Sequence, residues 1–247
     1  MITEYYRPET LSEALELLKN PDTLPLGGGT LLSSLKTASV KVVDLQALKL
    51  NSIQKKGNNL KIGATVTLQE LLESEHAHEA LKATLKLEAP LNIRNAATVA
   101  GTLVAADGRS TFVTALLALD AQLTLKPNDE EIEIGNFLPL RQENLAGKLV
   151  TAITIPLNTK LTFESVARTP ADKPIVCAAL AQWPSGRTRL ALGGYGKAPL
   201  LAMDGTESND LETAARNAFH EATDEWASAE YRMDVAATLA KRCLKAK

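Results

Sequence analysis

The stretch "LPLGGGTLLSSLK", residues 24–36, sets Gly27, Gly28 and Gly29 side by side between a short apolar run and a segment patterned as a helix start. Only 14 of the 247 residues are glycine, so three in a row need a reason. Consecutive glycines permit positive φ and let backbone N–H groups converge on one point without Cβ obstruction. After a strand and before a helix they form an anion nest with a helix dipole behind it. Gly27, Gly28, Gly29 and Thr30 then offer several N–H donors and a hydroxyl, a set suited to a pyrophosphate. Each charge-assisted hydrogen bond contributes roughly 1.5–3 kcal/mol. On this reading a Cβ at Gly28 occludes the nest. A plain tight turn from strand to helix is the other reading of the same residues. No Gly-Lys-Ser/Thr follows and the G-x-G-x-x-G spacing is absent, which disfavours nucleotide hydrolysis on a P-loop and Rossmann-type NAD binding.

A second small-residue segment, "TVAGTLVAAD" at 98–107, is the other place where backbone can approach a ligand closely. Its small size and poor periodicity predict a loop or short strands. Together the two segments can clamp an extended, phosphate-bearing cofactor between two lobes; close packing of sheet on helix explains Ala96, Ala97, Ala100, Ala105 and Ala106 equally well. Other chemistry is thinly represented. His76 and His78 stand at a spacing that splays them apart on a helix and read as solvated surface residues. Cys177 and Cys243 form no CxxC, so neither a disulfide framework nor a zinc site is expected. No serine, cysteine and histidine arrangement makes a nucleophilic triad, and no catalytic or metal-ligating residue is assigned.

The elements that must position these segments are legible from periodicity. "TLSEALELLKNP" reads as a helix with Thr10 and Glu13 as capping box and Leu11, Ala14, Leu15 and Leu18 on one face. "TLQELLES" repeats the box through Thr67 and Glu70. Helices are also predicted from 30 to about 35, from about 78 to 87, over "TFVTALLALD", and from about 210 onward. "TLPLGG", "VKVVDL", "NLKIGA", "AQLTLK", "EEIEIG" and "KLVTAITIP" read as strands, with a turn at Pro127-Asn128. After Pro156, "LTFESVAR", "PIVCAALAQWP" and "TRLALGGYG" form a three-stranded meander followed by helices, so the class is α+β with a boundary near 157. The 27 basic and 29 acidic residues leave a net charge of −2, no footprint for nucleic acid. No apolar run approaches a membrane span, and the N-terminus lacks signal-peptide order. A cytoplasmic protein is expected.

The order of these pieces resembles the FAD-binding medium subunit of the molybdenum hydroxylases, the xanthine dehydrogenase and carbon monoxide dehydrogenase family. "YYRPETLSEALELL" is similar to the family's Y-x-x-P-x-S/T-L-x-E-A helix, and "LGGGTLLSSLK" to its A-G-G-T-D-L-L loop. "IGATVTLQELLES" resembles I-G-A-x-x-T-L-x-E-L. "IRNAATVAGTL" followed by "ALLALDAQL" resembles I-R-N-x-A-T-I-G-G-N-I and A-L-L-A-L-D-A. "LVTAITIP", "LALGGYGKAP" and "SAEYRMDVAATLAKRCL" are similar to later landmarks.

The resemblance implies a two-lobed FAD-binding domain of the PCMH type over 1–157 (lobes about 1–50 and 51–157). A C-terminal domain over 158–247, a three-stranded sheet plus helices, follows it. It implies FAD, with the pyrophosphate cradled by Gly27, Gly28, Gly29 and Thr30, with Thr98 and Gly101 in the second loop, and with Leu31 and Thr102 as further cofactor-binding positions. Thr111 stands at the position facing the ribose side, and Leu149 and Val150 lie against the flavin's non-polar parts. The implied partners are a molybdopterin-binding large subunit and a 2Fe-2S small subunit, since two cysteines cannot supply the four ligands a cluster needs. The implied role is electron transfer from those clusters through FAD to an external acceptor.

Several positions depart from the family pattern. Leu31 and Thr111 replace aspartates, Ala100 replaces the first glycine of G-G-N, and Thr102 replaces its asparagine. If position 100 requires positive φ, alanine there costs on the order of 1–2 kcal/mol. Arg109 either meets a phosphate or is a solvated loop charge. The alternative function is therefore a non-redox scaffold or assembly relative that has lost tight FAD binding.

Overall fold

The computed structural model describes residues 2–32, 39–206 and 210–246. The first sheet is parallel, with β3 (Val40–Asp44) between β1 (Ile2–Tyr6) and β2 (Thr23–Leu26). Helix α1 (Leu11–Leu17) carries the crossover from β1 to β2. It starts where Thr10 accepts a hydrogen bond from the Glu13 N–H. Its expected apolar face packs with Val43, Leu45 and Leu149. The second half of the helix expected from 30 to about 35 lies outside the described residues, which stop at 32 and resume at 39.

The second sheet is antiparallel, in the order β4 (Ile53–Lys56), β5 (Asn59–Gly63), β8 (Leu149–Pro156), β6 (Gln122–Lys126) and β7 (Glu130–Glu133). Between β5 and β6 run α2 (Leu68–Glu73), α3 (Glu79–Glu88), α4 (Leu91–Arg94), α5 (Val99–Ala105) and α6 (Thr111–Ala118). The capping box at Thr67 and Glu70 is complete, both reciprocal bonds being present. The segment at 98–107 is largely helix α5, not the expected loop or short strands. Thr98 caps its N-terminus, and the apolar period is hidden because Val99, Ala100 and Leu103 are buried while the rest are small. Short helices α7 (Ile134–Phe137) and α8 (Arg141–Leu145) precede β8.

The expected meander is present as β9 (Lys160–Val166), β10 (Val176–Gln182) and β11 (Thr188–Gly193), and a fourth strand, β12 (Leu200–Gly205), extends it. Helices α9 (Leu211–Ala218) and α10 (Ala229–Lys245) cover this sheet. The fully buried Arg232 of α10 donates to the carbonyls of Ala222 (2.6 Å) and Ala227 (2.8 Å) and to Asp224 Oδ1 (2.7 Å), closing the turn between the two helices. Cys177 and Cys243 are buried, and burial pushes both thiols up to about 12. Among the described residues no helix is long and apolar enough to cross a membrane.

Helix α6 joins the second and third sheets. Every residue of it is buried, and it packs on α3, β10 and β11. A helix end in such a place needs partners for its free N–H groups. Ser110 accepts from the Val113 N–H, and Glu88 Oε2 accepts from the Phe112 N–H (2.9 Å) and the Ser110 hydroxyl (2.9 Å). At the other end, Asp120 sits at φ +55 beside two arginines of the third sheet. Arg189, 3% exposed, has Nη1 2.6 Å from Asp204 Oδ2 and 3.2 Å from Asp120 Oδ1. Arg187 forks onto both oxygens of Asp204, each at 2.8 Å.

Two outcomes test this account. The hydrogen-bonded Arg187, with Arg189 beside it, holds the Asp204 carboxyl below its ordinary range. A depressed carboxylate contributes stability above its unfolded pKa and loses it as pH falls through the folded value. Asp204→Asn should therefore lower stability near neutral pH by on the order of 1–3 kcal/mol and flatten the acid limb of a urea-midpoint against pH profile. Glu88→Ala should cost about 1.5–3 kcal/mol by removing a charged acceptor from a buried helix end, read by the same denaturation.

Candidate cofactor-binding cleft

The first loop begins where β2 leaves the parallel sheet. Leu26 is paired with Asp44, and its carbonyl accepts from the Leu45 N–H at 3.0 Å, so the chain is held up to Gly27. The bend follows, with Gly29 at φ +70, a conformation costly for a residue with a Cβ. The second loop, at 95–101, is stapled to the stretch after β5. The Leu68 N–H donates to Ala97 O (2.9 Å), Val99 N–H to Val66 O (2.8 Å), and Ala64 N–H to Thr151 O of β8 (3.0 Å). Thr98 turns its hydroxyl to the Gly101 N–H at 3.1 Å, opening α5.

The two loops touch backbone to backbone. A Cβ built on Gly28 would lie 1.6 Å from the Ala96 carbonyl oxygen, and one on Gly27 would lie 2.7 Å from Thr98 Oγ1. The glycine at 28 is thus required by the neighbouring loop. The expectation that its Cβ would merely occlude an anion nest is corrected on that ground. Among the described residues, no backbone carbonyl accepts from the Gly27 or Gly28 N–H.

A cleft of about 390 Å³ opens on one side of this contact. Its walls are the first loop from Gly27 to Leu32, then Ala64, Thr98, Ala100, Gly101 and Val104, and then Leu149 and Val150 from β8. On the other side lies a polar hollow of about 360 Å³, lined by Asp44, Gln46, Thr65, Thr67 and Asn95. Gly27, Gly28 and Thr98 border both, so the glycine bend is a partition between an aliphatic space and a polar one. Asp44 is held by the Tyr5 hydroxyl and by the Gln46 N–H at 2.9 Å.

Nine residues expected at the site meet around the cleft: Gly27, Gly28, Gly29, Thr30, Leu31, Thr98, Gly101, Leu149 and Val150. Thr102 and Thr111 are not part of its lining. The Thr102 N–H bonds to Thr98 O within α5. Thr111 donates its hydroxyl to Thr84 O (2.8 Å) and Glu88 Oε2 (3.1 Å), which holds it against α3, beside a different hollow lined by Leu87 and Arg168. Ala100 sits in the regular first turn of α5 and is not among the residues with positive φ, so the conditional strain there does not arise. Arg109 is neither free in solvent nor at the cleft. It donates to Pro174 O (2.9 Å) and Lys173 O (2.7 Å) and stacks on Trp226. His78 is held by Pro156 O at 2.8 Å.

Sequence reading missed Ala64, Val104 and Leu45 in the wall and the whole polar hollow. The wall residues carry no signal that separates them from core. Asp44 and Asn95 did stand in quoted segments, Asn95 directly before the alanines of the second loop.

These residues fit FAD. The aliphatic walls suit one of its planar ring systems, the N–H groups of Gly27 and Gly28, which meet no backbone carbonyl among the described residues, suit a diphosphate bridge, and the polar hollow suits hydroxyl-bearing parts. The comparisons agree. A family model described as the FAD binding domain in molybdopterin dehydrogenase matches residues 1–158. The uncharacterized protein YgfM of Escherichia coli K12 is 29% identical over 247 residues, covering 97% of this chain and 94% of its own. The glyceraldehyde dehydrogenase medium chain of Sulfolobus acidocaldarius is 26% identical over 98% of this chain and 96% of its own. Among solved structures, reconstituted CO dehydrogenase from Oligotropha carboxidovorans superposes with a TM-score of 0.83 at 25% identity, covering 98% of this chain and 96% of that one. Quinoline 2-oxidoreductase from Pseudomonas putida 86 superposes at 0.81 with 23% identity, over 98% and 95%. The match across the first 158 residues makes this chain a member of the FAD-binding domain family of molybdopterin dehydrogenases.

Proposed function

We propose that this chain is the FAD-carrying electron-transfer subunit of a molybdenum hydroxylase-type complex in the cytoplasm. Its partners on this reading are a molybdopterin-binding large subunit and a 2Fe-2S small subunit, and its electrons leave for an external acceptor. The carrying observation is the partition at Gly27 and Gly28, whose N–H groups meet no backbone carbonyl among the described residues and which separates an aliphatic cleft from a polar hollow. The name of the Sulfolobus relative, a medium chain of a dehydrogenase, supports a place among several subunits.

Bound FAD supplies the redox chemistry itself, accepting electrons from one donor and passing them to another. The residues of the chain bind and orient. Gly27, Gly28, Gly29 and Thr30 hold the diphosphate, with Leu31 at the rim. Thr98 and Gly101 close on it from the second loop. Leu149 and Val150, which line the cleft from β8, would exclude water from one of its ring systems. Residues 1–157 form the cofactor-binding part and 158–247 the C-terminal domain that braces it through α6. No side chain is assigned a proton.

A scaffold role without FAD draws on Thr111, whose hydroxyl is committed to Thr84 and Glu88, and on Leu31, 55% exposed at the bend. Purification after incubation with FAD separates the two readings. A yellow protein that keeps flavin absorption through gel filtration and releases FAD on denaturation is the expected result; a colourless chain that takes up none favours the scaffold. Two variants then locate the site. Val104→Trp fills the cleft and should weaken FAD binding at least about tenfold, a loss near 1.4 kcal/mol, while circular dichroism stays that of the parent. Gly28→Ala forces a Cβ into the Ala96 carbonyl and should lower stability by about 1–3 kcal/mol with FAD absent, measured by urea denaturation of the apoprotein.

A further inference from the structure

Arg141, the first residue of α8, does not line the cleft. Its guanidinium is spent on main chain. Nη1 donates to the carbonyls of Val104 (2.8 Å) and Ala106 (2.7 Å), with Leu103 O at 3.4 Å, and Nη2 donates to Lys197 O at 3.1 Å. The first three carbonyls form the C-terminal end of α5. Helix ends leave their last carbonyls without intrahelical partners. This helix also has little to hold it: seven residues, "VAGTLVA", with a glycine inside. A helix of that length does not hold itself in water, and Gly101 loosens it further. Yet Ala100, Gly101 and Val104 of the same helix form one wall of the cleft.

The fourth bond gives the guanidinium a fixed reference. Lys197 follows a seam in which the Gly108 N–H donates to Gly196 O (2.9 Å) and the Gly194 N–H to Gly108 O (2.7 Å). A Cβ on Gly108 would lie 1.8 Å from Tyr195 O, so the two strands of chain are in direct backbone contact. Arg141 thereby ties the end of α5 to the segment that follows β11. A planar fork with five N–H donors can serve several carbonyls at once; a lysine ammonium on a flexible stem cannot hold the same spread.

The geometry points to Arg141 as a positioning residue for the cofactor cleft, one that sets the α5 wall from outside by clamping its last carbonyls to the connection between β11 and β12. The inference rests on the FAD reading above. Its test is a fluorescence titration of FAD into the full apo-chain, at a temperature where circular dichroism shows each variant folded. Arg141→Met should raise the FAD Kd about tenfold or more, the order lost when an orienting partner is removed. Arg141→Lys should recover part of that loss. Asp204→Asn, which lowers stability far from the cleft, should bind FAD as the parent does, so lost affinity is not a general consequence of a weaker fold. A Kd for Arg141→Met equal to the parent's overturns the assignment; should that variant not fold, an unchanged Kd for Arg141→Lys overturns it instead. A parent that binds no FAD overturns the functional reading and this inference with it.

Discussion

The contact of Gly28 on the Ala96 carbonyl is the constraint from which the site is built. Two loops come together there, backbone to backbone at Gly28 and with the Thr98 hydroxyl against Gly27. Hydrophobic burial contributes little to such a contact, because there is almost no apolar surface in it. It persists because each loop is fastened elsewhere, the first by the β2–β3 pairing and the second by backbone bonds to residues 64–68. Any residue with a Cβ at 28 would push the loops apart and merge the aliphatic cleft with the polar hollow. The partition, and the amide groups it leaves for an anion, exist only while that approach is kept.

Fastening on this scale is done largely by charge set against main chain. Glu88 serves the start of α6, Arg141 the end of α5, and Arg232 the turn between α9 and α10. An ion taken out of water is expensive unless its hydrogen-bonding capacity is used, and each of these spends much of it on main-chain carbonyls or N–H groups near a helix end. The short helices around the cleft are held by such contacts more than by their own propensity. This is the expected price of building a binding wall from alanine, glycine and threonine.

Much of the fold was legible because it was written in period and cap. The face of α1, the box at Thr67 and Glu70, and the alternation in β6 each follow from local chemistry that tertiary contact does not override. The glycine bend was legible as a place where backbone comes close to something. What it comes close to was not, since a missing Cβ looks the same whether the neighbour is a phosphate or the Ala96 carbonyl. Helix α5 was misread because its residues are too small to show a stripe. Strand β12 carried no clean alternation, and Arg232, inside a helix otherwise marked by Met233, Ala236, Leu239 and Cys243, gave no sign that its charge was buried.

The departures from the family pattern look different once each position has a neighbourhood. Ala100 in place of glycine reads as damage only if the backbone there is left-handed; inside a right-handed first turn, alanine is the better helix former. Thr111 in place of aspartate would be a lost ligand if it faced the cleft, but its hydroxyl completes the set of donors around Glu88. Leu31 is the substitution that stays at the rim, where an exposed aliphatic group stands in for a charge. A carboxylate beside a diphosphate is repulsive unless hydrogen bonds or a cation intervene, so leucine at that place does not by itself argue against an anionic guest. The four changes thus bear on affinity unequally: Ala100 and Thr102 fall within helix α5, Thr111 is held by a carboxylate outside the cleft, and Leu31 alters the rim alone.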